Sequence, residues 1–356
     1  MNSPSSGRTV HLVGSVPLAS ADAVFEVVGS ILGPLVKRIP DGETGQRLKW
    51  IGYQGQRMKS VRGLELIQEI PVFSGPVPQS FPLFGLKAGV APASLQFNPL
   101  GYAEAARSSY AAFRRQRDAG RLAHGTRFQV SLPTPTVVIF AFLHPRHYYE
   151  VLPVYEEAMK GELNEIVQAI PHQDLAIQWD IAGETEMSES TEWLRHFGPA
   201  VHELGCKLTR EEMMATVARM VDAVPSGVEV GIHFCYGDPE GQHLVQPKDT
   251  SVVTDLANRV IGKIHRSLEW IHLPVPIDRD DQAYFAPLAG LRKPAATEIY
   301  LGLVHLDDGI EGARRRLAAA TRVLSSFGIA CECGLGRKPP ERIPELLRLH
   351  REIARA

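Results

Sequence analysis

The chain lacks a surplus of either charge: 38 basic residues stand against 40 acidic ones, a formal net charge of -2. Such a balance sets up no global basic field, so nucleic acid is not an expected partner. Long hydrophobic runs are missing too. No apolar stretch approaches the roughly 18 residues of a membrane-spanning helix, and no membrane association is expected. Cysteine is scarce, with four in 356 residues: Cys206, Cys235, Cys331 and Cys333. That is no disulfide framework, and a chain of this length can bury a large core without one. Met1 to Val10 show no basic-then-apolar leader pattern, so a cytoplasmic location with reduced thiols is expected. No phosphate-binding glycine loop follows the first apolar run, and no Gly-x-Ser-x-Gly elbow occurs. A content of 44% hydrophobic and 22% charged residues excludes a disordered chain.

What is present is an alternation. Short apolar runs recur at Thr9–Val16, Leu35–Ile39, Arg127–Leu132, Leu175–Ile181, Val228–Phe234, Leu268–Pro274, Glu298–Val304 and Gly328–Cys333. Each has the length and composition of a buried parallel strand. Helical patterns fall between most of them, over residues 20–32, 101–122, 154–170, 209–223, 250–264 and 309–326, and a last one closes the chain at 340–356. Strand alternating with helix predicts parallel βαβ units. Eight such strands favour a single (β/α)8 barrel, an α/β TIM barrel, over an open doubly wound sheet.

Two stretches break the rhythm. Residues 41–100 show no strand–helix repeat and carry Pro71, Pro76, Pro78, Pro82, Pro92 and Pro99. Residues 182–208 form a shorter irregular stretch. Both read as loop insertions, after strands 2 and 4, on the face where a barrel does its chemistry. One domain over 1–356 is therefore expected. The Arg314-Arg315-Arg316 run reads as a solvated helix face, and Trp193 and Tyr148-Tyr149 as packing residues.

Barrel chemistry gathers at the C-terminal strand ends, and polar, metal-capable residues stand there. The sharpest group is His233-x-Cys235 with Cys333. Residues i and i+2 of a strand share a face, so His233 and Cys235 can reach one ion, with Cys333 approaching from the eighth strand. An imidazole and two thiolates form a zinc set with an open fourth position, the catalytic arrangement. The bland reading is that each cysteine is a small core residue. After the seventh strand come His305, Asp307 and Asp308, which read equally as proton carriers or as the cap and first turn of the next helix.

Taken in order, the strand ends resemble the catalytic domain of cobalamin-independent methionine synthase, within the wider group of uroporphyrinogen decarboxylase-like barrels. The resemblance rests on Gly14-Ser15-Val16-Pro17, Gly42-Glu43 with Arg47, Pro133-Thr134-Pro135-Thr136, Ile177-Gln178-Trp179-Asp180, His233 to Tyr236, and Cys333-Gly334-Leu335. It implies zinc on His233, Cys235 and Cys333. It also implies that Ser15, Glu43 and Asp180 hold an amino-acid thiol, with Glu43 and Asp180 in the catalytic group. A folate-type methyl donor is the implied co-substrate.

The chain also departs from that pattern. Where the family has a glutamate ligand after the sixth strand, His272 stands here, either as a fourth ligand or as a packed histidine. Ile181-Ala182 replaces Glu-Pro after Asp180, and the aromatic platform of the family has no clear counterpart, although Phe140 and Phe142 are near the third strand end. The expected function is a zinc-dependent methyl or alkyl transferase that activates a small-molecule thiol, with His305 or Asp307 serving the leaving group. A zinc-dependent lyase or hydrolase acting on a small carboxylic or aromatic compound, and a non-catalytic zinc or small-molecule binding barrel, are the alternatives. A homo-oligomer is compatible with each.

Overall fold

The structure, a computed structural model, describes residues 7–72, 79–197, 202, 207–237 and 243–356. Cys206, Pro76 and Pro78 lie outside the described residues. Among the described residues lie ten strands, numbered in chain order: β1 (Val10–His11), β2 (Arg38–Pro40), β3 (Leu64–Val72), β4 (Gln79–Leu86), β5 (Arg127–Pro133), β6 (Leu175–Ile181), β7 (Glu229–Phe234), β8 (Trp270–Pro274), β9 (Glu298–Val304) and β10 (Gly328–Cys331). Eight of them form one sheet in the order β1-β10-β9-β8-β7-β6-β5-β2, every pairing parallel. Parallel bridges Val10–Val36 and Ser15–Gly42 bring the two edges together. The Val16 N–H donates to the Gly42 carbonyl at 2.8 Å across the same seam. The result is a nearly closed barrel ringed by helices, the expected (β/α)8 architecture.

The strands form where the apolar runs predict because both of their faces are covered. β6 and β8 are buried along their whole length, which only a strand with side chains packed inside and helices outside can be. Local signals then start the helices. Ser20 accepts from the Ala23 N–H ahead of Ala21–Leu32, and Thr209 with Glu212 forms a full capping box ahead of Arg210–Asp222.

Residues 41–100 differ from the expected irregular loop. They hold a helix, Gly52–Met58, and the antiparallel β3–β4 hairpin. Pro71 and Pro82 sit within that hairpin. A two-stranded ribbon has only edges, and edges are where proline costs no ladder bond; the proline content that argues against a strand in a sheet interior is tolerated here. The Pro133–Thr136 turn opens a further helix, Pro135–Phe142, with Thr134 accepting from the Val137 N–H and Pro135 in the first turn. The helix over Tyr148–Ala169 starts earlier than its pattern suggests and holds Pro153 within its second turn. Finally, the arginine run divides. Arg316 is fully buried and pairs with both oxygens of Asp308 at 2.7 and 2.8 Å, while donating to the carbonyls of Leu303 and Ile277.

Candidate metal centre and active-site cavity

His233 is the penultimate residue of β7, Cys235 directly follows the strand and Cys333 lies just past β10. The barrel brings them together: one ligand atom from each lies within 4.8 Å of the others. Cys235 Sγ is 3.7 Å from Cys333 Sγ, and Cys333 Sγ is 3.9 Å from His233 Nε2. His233 and Cys235 are buried.

The hydrogen bonds behind this group select one tautomer. The Cys331 carbonyl can only accept, so His272 Nε2, at 3.0 Å, carries a proton and donates it. A neutral His272 then has a bare Nδ1, which lies 2.7 Å from His233 Nδ1. His233 must donate there, leaving its Nε2 lone pair facing the thiols. Burial keeps both rings neutral, pushing His272 down to about 3 and His233 well below the ordinary histidine value, the latter helped by His272 and His11. A neutral imidazole oriented by a partner on its other nitrogen is the form that ligates a metal. The donor set fits zinc. His272 has both ring nitrogens engaged and lies behind His233, outside the three-residue group.

A second group lies across the same mouth. Glu43 adopts a left-handed backbone, φ 48°, and so does Trp50, φ 50°; they are the only non-glycine residues with positive φ among the described residues. Such conformations are costly and concentrate at functional sites. The Glu43 N–H donates to Asp41 Oδ1 at 2.8 Å, and Arg47 bonds the other Asp41 oxygen at 2.5 Å. Glu43 Oε2 would lie 3.2 Å from a Cβ added to Gly14. Asp180 accepts from Gln178 Nε2 at 2.9 Å and from Trp50 Nε1 at 3.2 Å. Gln178 and Asp180 share the barrel-facing side of β6, which is why the Ile-Gln-x-Asp spacing places both inside. Burial raises Glu43 well above the usual carboxylate range, with the Asp180 charge adding to it. Burial raises Asp180 likewise, against the Gln178 hydrogen bond. Ser15 Oγ accepts from the Gly336 N–H at 3.2 Å.

Both groups open into one cavity of about 350 Å³, lined by His233, Cys235, Cys333, Ser15, Glu43 and Asp180. Trp193 packs in the core, as expected, and also lines this cavity, as do Phe140, Trp50, Phe81, Glu186 and Arg337. Phe142 is fully buried against Phe81 instead. Trp50, Phe81 and Arg337 gave no motif to find them by. Glu186 could have been flagged as an acid within a short apolar-flanked segment after β6. Burial lifts Glu186 to about 8, with Glu184 adding to it.

His305, Asp307 and Asp308 are not brought to the cavity. His305 Nε2 donates to the Val275 carbonyl at 2.8 Å, Asp307 is a largely exposed partner of Lys338 at 3.5 Å, and Asp308 is held by Arg316. Cys331 contributes its carbonyl to His272, while its thiol is pushed up by burial and stands outside the three-residue group.

The fold is shared with solved methyltransferases. A B12-independent methionine synthase from Shewanella sp. W3-18-1, in complex with selenomethionine, superposes with a TM-score of 0.61 at 14% identity, covering 98% of this chain and 96% of that one. A putative vitamin-B12 independent methionine synthase from Listeria monocytogenes gives 0.56 at 14% identity over 96% and 95%. A methyltransferase from Methanosarcina mazei gives 0.51 at 13% identity over 98% and 95%. No protein-family model matches the chain, and no curated protein does. No helix among the described residues is long and apolar enough to cross a membrane.

Proposed function

We infer that the protein is a zinc-dependent methyltransferase that passes a methyl group to the sulfur of a small thiol. The observation that carries this reading is the convergence of His233, Cys235 and Cys333 at the mouth of the barrel, with His233 already in its ligating tautomer. The shared fold with methionine synthases supports it. A zinc ion held by these three residues would supply Lewis acidity that favours the thiolate form of a substrate thiol near neutral pH. His272 and the Cys331 carbonyl hold the His233 ring. Glu43 and Asp180 face the cavity as two buried acids, and an ammonium group entering between them would give each a partner and draw both into their charged forms. Ser15 offers its hydroxyl beside them. An aminothiol therefore fits with its sulfur toward the cysteines and its amine toward the acids.

Two measurements test this reading: metal analysis of the purified protein, and thiol consumption when an aminothiol and methyl donors are supplied. Stoichiometric zinc that is lost in Cys235→Ser and Cys333→Ser, together with thiol methylation, is the expected result. Zinc without any thiol consumption would move the site toward lyase or hydrolase chemistry. Absence of zinc would remove the metal reading.

A further inference from the structure

One wall of the cavity is not used by the thiol. Glu186 is only 6% exposed and lines the cavity. It has no hydrogen-bond or ion-pair partner among the described residues; the only charge acting on it is the repulsive one of Glu184. Its carboxyl sits over Gly237, where an added Cβ would fall 2.4 Å from Glu186 Oε1. Gly237 is two residues past Cys235, so this carboxyl borders the space into which the thiols open. Aromatic rings line the same cavity. Phe140 Cδ2 would lie 3.2 Å from a Cβ on Gly183, the first residue of the short helix that carries Glu186. Trp193 and Trp50 line the same cavity.

A buried carboxyl without a partner is costly to ionise, a cost that a cation beside it would offset by drawing it into its charged form, and aromatic faces attract cations. Of the basic side chains that line the cavity, Lys49 is exposed, and Arg337 lies on the thiol side with Nη2 3.8 Å from Cys333 Sγ; neither pairs with Glu186. A volume of about 350 Å³ also lies near the lower end of the roughly 300–1,000 Å³ of small-molecule sites. It suits a thiol beside a compact donor better than a thiol beside a bicyclic donor with a long acidic tail.

We propose that this wall is a subsite for a small organic cation that serves as the methyl donor, a quaternary ammonium or sulfonium compound whose onium centre rests against Glu186 and the rings of Phe140 and Trp193. The proposal rests on the methyl-transfer reading for what the cation does, not for whether it binds. In the transfer, the substrate sulfur has already lost its proton to solvent and uses an electron pair to form the S–CH3 bond. The C–N⁺ or C–S⁺ bond breaks with its electron pair kept by the leaving atom, which departs as a neutral amine or sulfide. No proton is required at that atom.

Calorimetric titration of the full chain with choline, with trimethylsulfonium and with 3,3-dimethylbutan-1-ol, the neutral isostere of choline, tests the subsite. The cations are expected to bind at least about tenfold more tightly than the alcohol. Glu186→Gln should erase that preference and leave zinc content and aminothiol binding unchanged. If Glu186→Gln does not fold, Phe140→Leu and Trp193→Leu are expected to weaken the cations alone. Equal binding of the isostere, a preference that survives all three substitutions, or binding of a folate-type donor in place of any onium compound overturns the proposal. Metal-free protein titrated in parallel separates the two readings. Failure of the zinc and thiol reading leaves the cation preference in place, whereas failure of this proposal leaves zinc and thiol binding without it.

Discussion

His272 decides how His233 meets a metal. Its own two nitrogens are engaged by the Cys331 carbonyl and by His233, so it orients a ligand from behind. Replacing such a partner typically weakens metal affinity by about 10- to 100-fold. His272→Ala should do so here, measured by competition with a chromophoric chelator, while zinc still binds. X-ray absorption of the zinc-loaded protein should show one imidazole and two sulfurs from the chain; a second imidazole would make His272 a ligand. His233 and Cys235 were legible as a pair because their two-residue spacing fixes the face they share, as it does for Gln178 and Asp180, and Cys333 was legible by its place at the eighth strand end. His272 was legible as a position but not as a role. Whether a histidine ligates or supports depends on where its two nitrogens point, and that is set by the neighbouring strand.

The short helix Gly183–Glu189 belongs to the second insertion and supplies one wall of the cavity. Its buried acids make the fold sensitive to pH. Glu186 is raised from the 4.5 of an ordinary glutamate to about 8, and Glu184 to about 7, in both cases chiefly by burial. A raised carboxyl in the folded state means that the unfolded chain releases its proton first. Stability is therefore full at or below about pH 4.5 for these groups and falls as pH rises toward about 8. Denaturant midpoints between pH 5 and 9 should show this decline, and Glu186→Gln should flatten part of it; an unchanged slope would mean that Glu186 is already ionised in the fold. The β3–β4 hairpin shows the opposite side of sequence legibility. Its prolines hid it, because a proline count cannot tell an edge ribbon from a loop.

For the molecule as a whole, the barrel is held at both ends. On the N-terminal face Arg38 bonds Glu229 at 2.5 Å and Glu298 at 3.3 Å, with its guanidinium 4.2 Å from the Trp270 ring centre. Conserving shape inside the barrel matters equally: a Cβ at Gly231 would fall 2.0 Å from the Trp270 ring. Gly231→Ala should destabilise the fold by about 1–3 kcal/mol or more through overpacking, read from urea unfolding. Arg316 ties Asp308 to the ends of β8 and β9 from a fully buried position. Arg316→Met would leave Asp308 and two carbonyls without it and should cost about 3–5 kcal/mol, measured the same way; a loss under about 1 kcal/mol would place the pair in the class of solvated ion pairs.

The sequence by itself determined the alternation of eight apolar runs with helical segments, and with it the barrel, because a strand buried on both faces is mostly apolar and its parallel neighbour must be reached through a helix. It also determined that His233 and Cys235 share a face, since the two-residue period of a strand is a property of the backbone alone. Only the tertiary structure decided how closely Cys333, expected from the eighth strand, approaches them, that His272 stands behind rather than beside them, that His305 and Asp307 turn away, and that Glu186 and aromatic residues line the cavity. Those outcomes depend on distances between strands and loops far apart in the chain, and a linear pattern fixes which residues stand at the strand ends but not where each ring nitrogen or carboxyl then points.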